Sequence, residues 1–258
     1  MVSHDVPDYR LRHSPRQRMD MLPAHGGIHI PRADCSALTV GIIDTGAPVH
    51  RDIPLGAQWR LASLVDGSGV FDEDGHGTAV AGVMCGTPSS GIGGLCHESC
   101  FHFAKCTSAD GSGDISGMVG SMLWCLGVGC DVVVCSVSAF EREHLASAVV
   151  KKMVDKGVVL VCAVPPASGT AFPSEEPGVI RVKTGALNAP TLESGDDNCL
   201  VMPDYTYDVF SRGDRFTDIA GSSFANAFVA GCVVNAMAAG SPREAKGIIQ
   251  YLLNNNGG

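Results

Sequence analysis

The sequence predicts an α/β fold, in which a mostly parallel sheet carries helices on both faces. Short apolar runs rich in Val and Ile alternate along the chain with segments that carry helical spacing or helix-capping residues. These runs lack the apolar–polar alternation of half-exposed strands, as is typical of strands buried on both faces. The chain also contains 32 glycines and only 6% aromatic residues, a composition that suits tight turns and close packing of helices on a sheet.

Five apolar runs predict the buried strands. The first, residues 38–44, ends in the carboxylate of Asp44, and functional residues of parallel sheets collect at the carboxyl ends of the strands. The other predicted strands are residues 101–105, 131–136, 158–163 and 179–182. Residues 196–218 show no clear period, so we expect an irregular or antiparallel region there.

Helices are predicted from spacing and from capping residues. Asp114 is a suitable N-cap and Gly157 a suitable C-cap for the segments beside them. Ser241 and Pro242 predict the start of the last helix, because Ser favours the N-cap and Pro the first helical position. The predicted helices are residues 75–85, 115–126, 143–156, 223–238 and 241–253.

Length and pattern bound the domain organisation. A chain of 258 residues suits one large α/β domain, and we predict a single domain over residues 37–258 because no repeat or linker interrupts the pattern. Residues 1–36 are polar and aperiodic, so we expect an arm that packs on the domain. An arm that covers a cleft as a latch is the alternative.

Composition excludes several classes of protein. A hydrophobic content of 45% excludes a wholly disordered chain, and no apolar run is long enough to span a bilayer. The formal net charge of −9 argues against a nucleic-acid partner. Residues 1–18 lack the apolar segment of a secretory signal, and the odd set of 11 cysteines suits free thiols in a reducing compartment. A cytoplasmic location is therefore favoured, with secretion as the alternative if a leader was removed.

Three segments place a chemically reactive side chain between glycines or small residues. Asp44 lies in Gly-Ile-Ile-Asp-Thr-Gly, His76 in Asp-Gly-His-Gly-Thr and Ser223 in Gly-Ser-Ser-Phe-Ala-Asn-Ala. His76 and Ser223 would each open a helix, and at Ser223 the N-terminal N–H groups of that helix could hold a developing oxyanion. Each residue alone is most often a turn or cap residue. Their occurrence together, in one of the known orders of a nucleophilic triad, argues against that simpler interpretation.

These segments resemble the Asp, His and Ser motifs of the subtilisin-like serine proteases, the subtilases. The resemblance extends from about residue 38 to residue 253 and implies a doubly wound, mostly parallel sheet of about seven strands with helices on both faces. It also implies a peptidase in which Ser223 attacks a peptide carbonyl, His76 is the general base and Asp44 orients His76.

The resemblance further implies a peptide or protein substrate that binds as an extended strand between two walls. One wall is formed by Gly111, Ser112 and Gly113, and the other by Ser136, Val137 and Ser138.

The sequence departs from the family at the oxyanion hole. The family usually has an Asn here whose side chain donates to the oxyanion, whereas this chain has Pro165 or Pro166. Proline offers neither an amide side chain nor an N–H. The remaining candidate donors are the Ser222 hydroxyl and the Ser223 backbone N–H, with Ser138 or Ser168 as substitutes. A slower protease, a rebuilt oxyanion hole and a degraded enzyme kept for binding all remain open.

No cofactor is required by this chemistry, and no metal site is favoured. Asp52 lies near a family calcium-ligand position, but residues 86–90 lack the usual Asn, so a structural calcium is possible but not favoured. Zinc-like spacing occurs at Cys96, His97, Cys100, His102 and Cys106. A strand over residues 101–105 would send alternate side chains to opposite faces, so we expect buried free thiols there.

The acidic residues 72–74, just before His76, allow two interpretations. A solvated loop is the simpler one; recognition of a basic substrate residue just before the cleaved bond is the sharper one.

The expected function is that of a serine endopeptidase. One alternative is a narrow-specificity peptide-maturation protease or transpeptidase. Another is a catalytically impaired subtilase fold used for binding, which covalent labelling of Ser223 would distinguish.

Overall fold

The computed structural model describes residues 2–3, 32–87, 94–140, 144–166, 171–187, 190–193, 195–204, 206–211 and 215–254. For residues 2–3, 206–208 and 215–219 it describes the backbone alone. Of the predicted arm, most residues therefore lie outside the described part of the chain.

The described residues form twelve strands and five helices. The strands are β1 (Val2–Ser3), β2 (Thr39–Asp44), β3 (Arg60–Ser63), β4 (Cys100–Lys105), β5 (Val132–Cys135), β6 (Ser138–Ala139), β7 (Val159–Ala163), β8 (Ile180–Gly185), β9 (Thr191–Glu193), β10 (Asp196–Pro203), β11 (Thr206–Ser211) and β12 (Arg215–Ala220). The helices are α1 (His76–Cys85), α2 (Ile115–Gly127), α3 (His144–Asp155), α4 (Ser222–Ala238) and α5 (Ala245–Asn254).

The main sheet has eight strands in the order β3-β4-β2-β5-β7-β8-β10-β9. Seven of them are parallel to their neighbours, and β9 pairs antiparallel with β10 at the edge. The chain winds outward from β2 in both directions, which confirms the predicted doubly wound, mostly parallel sheet. Because β2 lies between β4 and β5, the loops that follow these three strands meet at the carboxyl end of β2.

The antiparallel expectation for residues 196–218 is confirmed for the pairing of β10 with β9 and of β11 with β12. It is wrong for the pairing of β10 with β8, which is parallel, with Leu200 opposite Val182. Strand β3 was missed altogether. It is an edge strand whose residues are half-buried or exposed, so it lacks the apolar run that identified the central strands.

Four of the five predicted helices agree with the structure to within one or two residues. Asp114 caps α2 as expected, because its Oδ1 accepts the Gly117 N–H at 2.7 Å. The last helix begins at Ala245 rather than at Ser241. The Ser241 N–H instead donates to the Ala236 carbonyl and so helps to close the preceding helix.

Helices cover both faces of the sheet. On one face, α1, α4 and α5 pack with the larger apolar core, and on the other α2 and α3 pack with the smaller one. Helices α1 and α4 are buried along nearly their whole length, and they pack against each other. The N-termini that carry His76 and Ser223 therefore belong to two adjacent, rigidly held helices.

The described helices are each too short or too polar to cross a membrane.

Candidate active site

The candidate site lies where β2 ends. Asp44 is the last residue of β2, and its Oδ1 accepts a hydrogen bond from His76 Nδ1 at 2.7 Å. Both side chains are buried, with 1% of Asp44 and none of His76 exposed. Asp44 Oδ1 also accepts the Thr45 N–H at 2.7 Å, which fixes the carboxylate at the strand end. The structure thus places Asp44, the carboxylate predicted to orient His76, in direct contact with His76.

The pKa of His76 lies above its ordinary value of 6.5. Burial alone would lower this pKa. The charge of Asp44 and its hydrogen bond to the imidazole outweigh the effect of burial, and the carboxylates of Asp74 and Asp72 add to them. The surroundings of His76 therefore stabilise the imidazolium, which is the form that a general base reaches during acyl transfer.

Asp72 ties the strand that carries Asp44 to the helix that carries His76. Its side chain is 1% exposed and accepts five hydrogen bonds. One comes from Thr45 Oγ1 at 2.8 Å, and two come from the N–H and Oγ1 of Thr78, at 2.8 and 2.6 Å. The interpretation of residues 72–74 as a solvated loop is therefore wrong for Asp72. The sequence analysis missed this role because burial of an acid in a polar run leaves no local signal in the sequence.

Gly77 allows helix α1 to approach the end of β2. A Cβ at this position would lie 2.7 Å from the Gly46 carbonyl oxygen and 3.0 Å from Thr45 Oγ1. The Gly77 N–H donates to Thr45 Oγ1 at 2.8 Å. The glycine after His76 is thus required by close backbone contact.

Lys105 holds the same loop from the other side. It ends β4, opposite Asp44 in register, and its side chain is fully buried. Its Nζ donates to Glu73 Oε2 at 2.7 Å and to the Phe71 carbonyl at 3.0 Å. Glu73 is therefore engaged within the protein, and so is Asp74, whose Oδ1 accepts the His76 backbone N–H at 3.0 Å.

Ser223 lies in the first turn of α4 and is 1% exposed. Its Oγ donates to the carbonyl oxygen of Ser136 at 3.2 Å, and Ser136 Oγ donates to the Ser223 carbonyl oxygen at 3.2 Å. Phe224, the next residue in the helix, packs its ring 5.5 Å from the His76 ring. The structure therefore brings the predicted nucleophile beside the segment after β5 and beside the helix of His76.

Asn226 is a buried residue of this region that the sequence analysis missed. Its Nδ2 lies 3.3 Å from the carbonyl oxygens of Cys135 and Val161 and 3.2 Å from Ser136 Oγ. Within the described residues, its Oδ1 has no hydrogen-bond partner. The amide thus ties α4 to the end of β5 and the middle of β7, about one turn after Ser223. The available signal was that Asn226 is polar in the otherwise apolar run of residues 224–230.

The two predicted substrate walls flank Asp44. Gly113 lies against Cys106, whose N–H donates to the Asp44 carbonyl at 3.0 Å, and Ser136 follows β5 on the other side of β2. The first wall is a turn rather than a strand, because Asp110 accepts from the hydroxyls of Ser108 and Ser112. Gly111 at its tip has φ 76°.

The second predicted wall is buried. Ser136 and Ser138 are each 3% exposed, and Val137 is fully buried. In the first wall, by contrast, Ser112 is exposed.

The candidate oxyanion donors lie at the start of α4. Ser222 and Ser223 are the first two residues of this helix, where N–H groups have no acceptor within the helix itself. The usual family Asn falls at Pro165 or Pro166, neither of which has an N–H, and the N–H of the preceding Val164 donates to the Val182 carbonyl at 2.8 Å. Ser168, one of the suggested substitutes, lies outside the described residues.

The sheet separates the predicted zinc-like residues. Cys96 packs in the core beside α1 and α4, whereas Cys106 packs in the core beside α2. All 11 cysteines are free thiols. The calcium suggestion at Asp52 stays a prediction, since part of its partner loop, residues 88–90, lies outside the described residues.

One other group of possible metal ligands occurs in the described part of the chain. Ligand atoms of Glu193, Asp196 and Cys199 lie within 4.8 Å of one another. The Asp196 carboxylate is already paired with Arg181 and that of Glu193 with Lys183. Two cations thus already neutralise the charge that would attract a metal ion.

The chain has sequence relatives among known proteins. The profile of the subtilase family, peptidase S8, matches residues 36–256. The minor extracellular protease Epr of Bacillus subtilis is 28% identical over 127 residues, which cover 49% of this chain and 19% of that protein. The alkaline elastase YaB of a Bacillus species is 26% identical over 203 residues, which cover 76% of this chain and 53% of that protein. The chain thus spans about half or less of these relatives' own length.

A solved structure is similar in fold. A mutant of the protease domain of PatA superimposes with a TM-score of 0.71 at 19% identity, over 86% of this chain and 88% of that one. At this identity the likeness bears on the fold alone.

Proposed function

The chain belongs to the subtilase family of serine proteases, and from that premise we propose that it is a serine endopeptidase acting through an acyl-enzyme on Ser223. The observation that carries the proposal is the buried 2.7 Å contact between His76 Nδ1 and Asp44 Oδ1. His76 and Ser223 begin adjacent packed helices, so the three residues lie on rigid elements that meet at one edge of the sheet.

In the proposed reaction, Ser223 Oγ attacks the carbonyl carbon of the scissile peptide bond while His76 Nε2 takes the hydroxyl proton. The tetrahedral intermediate collapses, the C–N bond breaks, and His76 returns the proton to the leaving amine. Water then attacks the acyl-enzyme with His76 again as base, which releases the acid product and restores Ser223. Asp44 holds His76 through Nδ1, so that Nε2 is directed away from the carboxylate and serves as the base.

The negative oxygen of the tetrahedral intermediate is proposed to bind at the start of α4. The Ser223 backbone N–H and the Ser222 hydroxyl are its donors in this proposal. Loss of one side-chain donor from such a hole costs about 10²–10³ in rate, a magnitude that comes from subtilisin itself. Because Pro165 and Pro166 replace the usual Asn, we expect turnover slower than is typical of the family.

The proposed substrate is a peptide or protein segment in extended form. It would pair with Gly111–Gly113 on one side and Ser136–Ser138 on the other, the two walls that flank Asp44. Backbone hydrogen bonds would supply affinity, and side-chain contacts along the cleft would supply specificity.

The proposal is tested by labelling and cleavage in parallel. A small fluorophosphonate should add once to the wild-type chain and not to Ser223→Ala, as measured by intact mass. A mixture of peptides blocked at both ends should then show internal cleavage by the wild type alone, with fragments identified by mass spectrometry. A folded wild type that neither takes the label nor cleaves any peptide would refute the proposal.

A second candidate, a subtilase fold used for binding with impaired catalysis, is favoured by one observation. The Val164 N–H is engaged by Val182, and the two prolines that follow provide no donor to the oxyanion. Under this candidate, Ser223 resists the label while the protein still binds extended peptides.

For the compartment, we propose the cytoplasm. Every cysteine is a free thiol, and burial raises the pKa of buried thiols such as Cys135 and Cys232 to about 12. Such thiols are unreactive and need no oxidising environment. Labelling of thiols in freshly lysed and denatured cells would test this, since paired cysteines would escape the reagent.

A further inference from the structure

Two cysteines meet where helix α2 ends. The helix closes at Gly129, which has the left-handed φ of 84°. The Gly129 N–H donates to the Leu126 carbonyl at 3.3 Å, and the Cys130 N–H donates to the Cys125 carbonyl at 3.1 Å. These two hydrogen bonds form a Schellman motif, in which the side chains of the two outer residues commonly make an apolar contact. Here both of those side chains are thiols.

The two thiols contact each other. They are hydrogen-bonded, and this contact is the largest cause of a Cys125 pKa well above its ordinary value of 9.0, with burial as the second cause. Cys125 is therefore the proton donor of the pair, and the Cys130 sulfur is the acceptor. The main chains of the same two residues are joined by the backbone hydrogen bond. Close main chains and facing side chains are the two conditions for a disulfide.

Strand β2 leaves space for both sulfurs at Gly41. A Cβ at this position would lie 2.9 Å from Cys125 Sγ and 2.9 Å from Cys130 Sγ. Any side chain at position 41 would therefore displace the thiols. The glycine shows, independently of the helix end, that the two sulfurs point into the same space.

The neighbourhood favours this pair over other pairings of Cys125. Cys106 and Cys135 also raise the Cys125 pKa through their charge, but of these three thiols it is Cys130 that is hydrogen-bonded to Cys125. Cys130 is 4% exposed and Cys125 is fully buried. An oxidant therefore meets Cys130 first, with Cys125 already beside it.

We infer that Cys125 and Cys130 form a redox-active pair, which a peroxide converts from two thiols into an internal disulfide. The Cys130 sulfur attacks one peroxide oxygen, the O–O bond breaks, and a sulfenic acid and water form. The Cys125 sulfur then attacks the sulfenic sulfur, the S–O bond breaks, and a second water leaves with the Cys125 thiol proton. The two sulfurs lose two electrons in total, and the peroxide gains them.

Burial and contact act on different steps of this reaction. Burial slows the first step, because it limits both the access of the peroxide and the fraction of thiolate. Contact between the sulfurs speeds the second step, because the attacking atom is already in place. The sulfenic acid is therefore captured before it takes up further oxygen. Neither step involves Ser223, so the inference is independent of the proposed function.

The test uses the full-length Ser223→Ala chain, which under the proposed function cannot digest itself. The folded protein is treated with hydrogen peroxide, then denatured, alkylated with a maleimide and cleaved before aspartate. This cleavage isolates residues 114–130, whose cysteines are Cys125 and Cys130 alone. It also isolates residues 218–258, whose single cysteine is Cys232. Cys232 is 4% exposed, as is Cys130, and serves as the matched reference for a thiol without this arrangement.

We expect residues 114–130 to become about 2 Da lighter, to take up no maleimide, and to recover two maleimide additions after treatment with dithiothreitol. Cys232 should gain oxygen instead. In Cys130→Ala, Cys125 should still take up maleimide after the same treatment. In Cys135→Ala, which removes a neighbouring thiol, the disulfide should still form.

Three results would overturn the inference. One is two maleimide additions on residues 114–130 at a peroxide dose that oxidises Cys232. Another is oxygen added to the two cysteines of that segment, as at Cys232. The third is a cross-link from this segment to the one that contains Cys135. Because mass alone is measured, each of these results would leave the proposed function untouched.

Discussion

Ser136 and Ser223 exchange hydrogen bonds: the Oγ of each donates to the carbonyl oxygen of the other, in both cases at 3.2 Å. The pair joins the segment after β5 to the first turn of α4, across 87 residues of sequence. The pair thereby holds the start of α4 against the carboxyl end of β5. Orientation of Ser223 therefore depends on Ser136 as well as on its own helix.

Ser136→Ala tests this dependence. The change removes the hydroxyl that donates to Ser223 and leaves the carbonyl that accepts from it. We expect the free energy of unfolding to fall by about 1 kcal/mol. Fluorophosphonate labelling of Ser223 should slow by roughly three- to tenfold, because a misplaced nucleophile loses its alignment.

Ser121→Ala is the matched control, since Ser121 is fully buried and its Oγ donates to the Gly117 carbonyl at 2.8 Å within α2. It should lose similar stability, as measured by urea unfolding, without any change in labelling rate. Equal labelling of the two variants would show that the Ser136–Ser223 pair has a structural role only.

Asn226 gives a prediction about stability and pH. Its Nδ2 faces the carbonyl oxygens of Cys135 and Val161, so Asn226→Ala should cost about 1–3 kcal/mol by leaving buried acceptors without a donor. Asn226→Asp should cost more at pH 7, because a buried carboxylate then faces those oxygens.

The pH dependence follows from the sign of the pKa shift of the new carboxyl group. Burial raises its folded-state pKa above the unfolded value, so the penalty is present above the unfolded pKa and shrinks as the pH falls toward 4. Urea unfolding at pH 7 and pH 5 measures the effect, with the exposed Asn254→Asp as control. A penalty that grows on acidification would contradict the assigned orientation of the amide.

The central strands could be predicted because strands that are buried on both faces appear in the sequence as short apolar runs. Runs such as residues 132–135 and 159–163 are apolar throughout, since both faces of the sheet are covered. Strand β3 lies at the exposed edge of the sheet and has no such apolar run. Strands β8 and β10 are close in sequence, but whether they pair parallel depends on the path of the chain between them, which no local pattern encodes.

The sequence singled out the three candidate site residues but not the residues that support them. Glycines and small residues framed Asp44, His76 and Ser223 in the sequence. The role of Asp72 depends on donors from Thr45 and Thr78, which meet only in the fold. Sequence spacing alone assigned Asp72 to a solvated loop because it could not register burial.

Asp72→Asn should strongly destabilise the protein. The carboxylate accepts five hydrogen bonds, two of them at Oδ2, whereas an amide has one oxygen and turns its NH₂ group toward the remaining donors. We expect a loss of about 2–4 kcal/mol and reduced labelling of Ser223, since α1 loses its tie to β2. Thermal unfolding of Asp66→Asn, an exposed acid in the preceding loop, gives the baseline for loss of one negative charge. Similar melting temperatures for the two variants would contradict the assigned role.

Asp74→Asn should move the pH profile of activity toward acid. The general base must be neutral, so kcat/KM should rise with pH around a midpoint above 6.5, in accord with the raised pKa of His76. The charge of Asp74 is one of the causes of that raised pKa. Removing this charge lowers the pKa of His76, so a larger fraction of His76 is neutral at each acidic pH and the rising limb of the profile shifts to lower pH.

The geometry should persist in this variant, because the Asn side chain retains an oxygen for the His76 backbone N–H, which Asp74 Oδ1 accepts at 3.0 Å. Asp66→Asn makes the same change in net charge farther along the loop and should shift the profile less. A profile that is unmoved by Asp74→Asn, or that moves toward alkali, would show that this carboxylate does not act on the base.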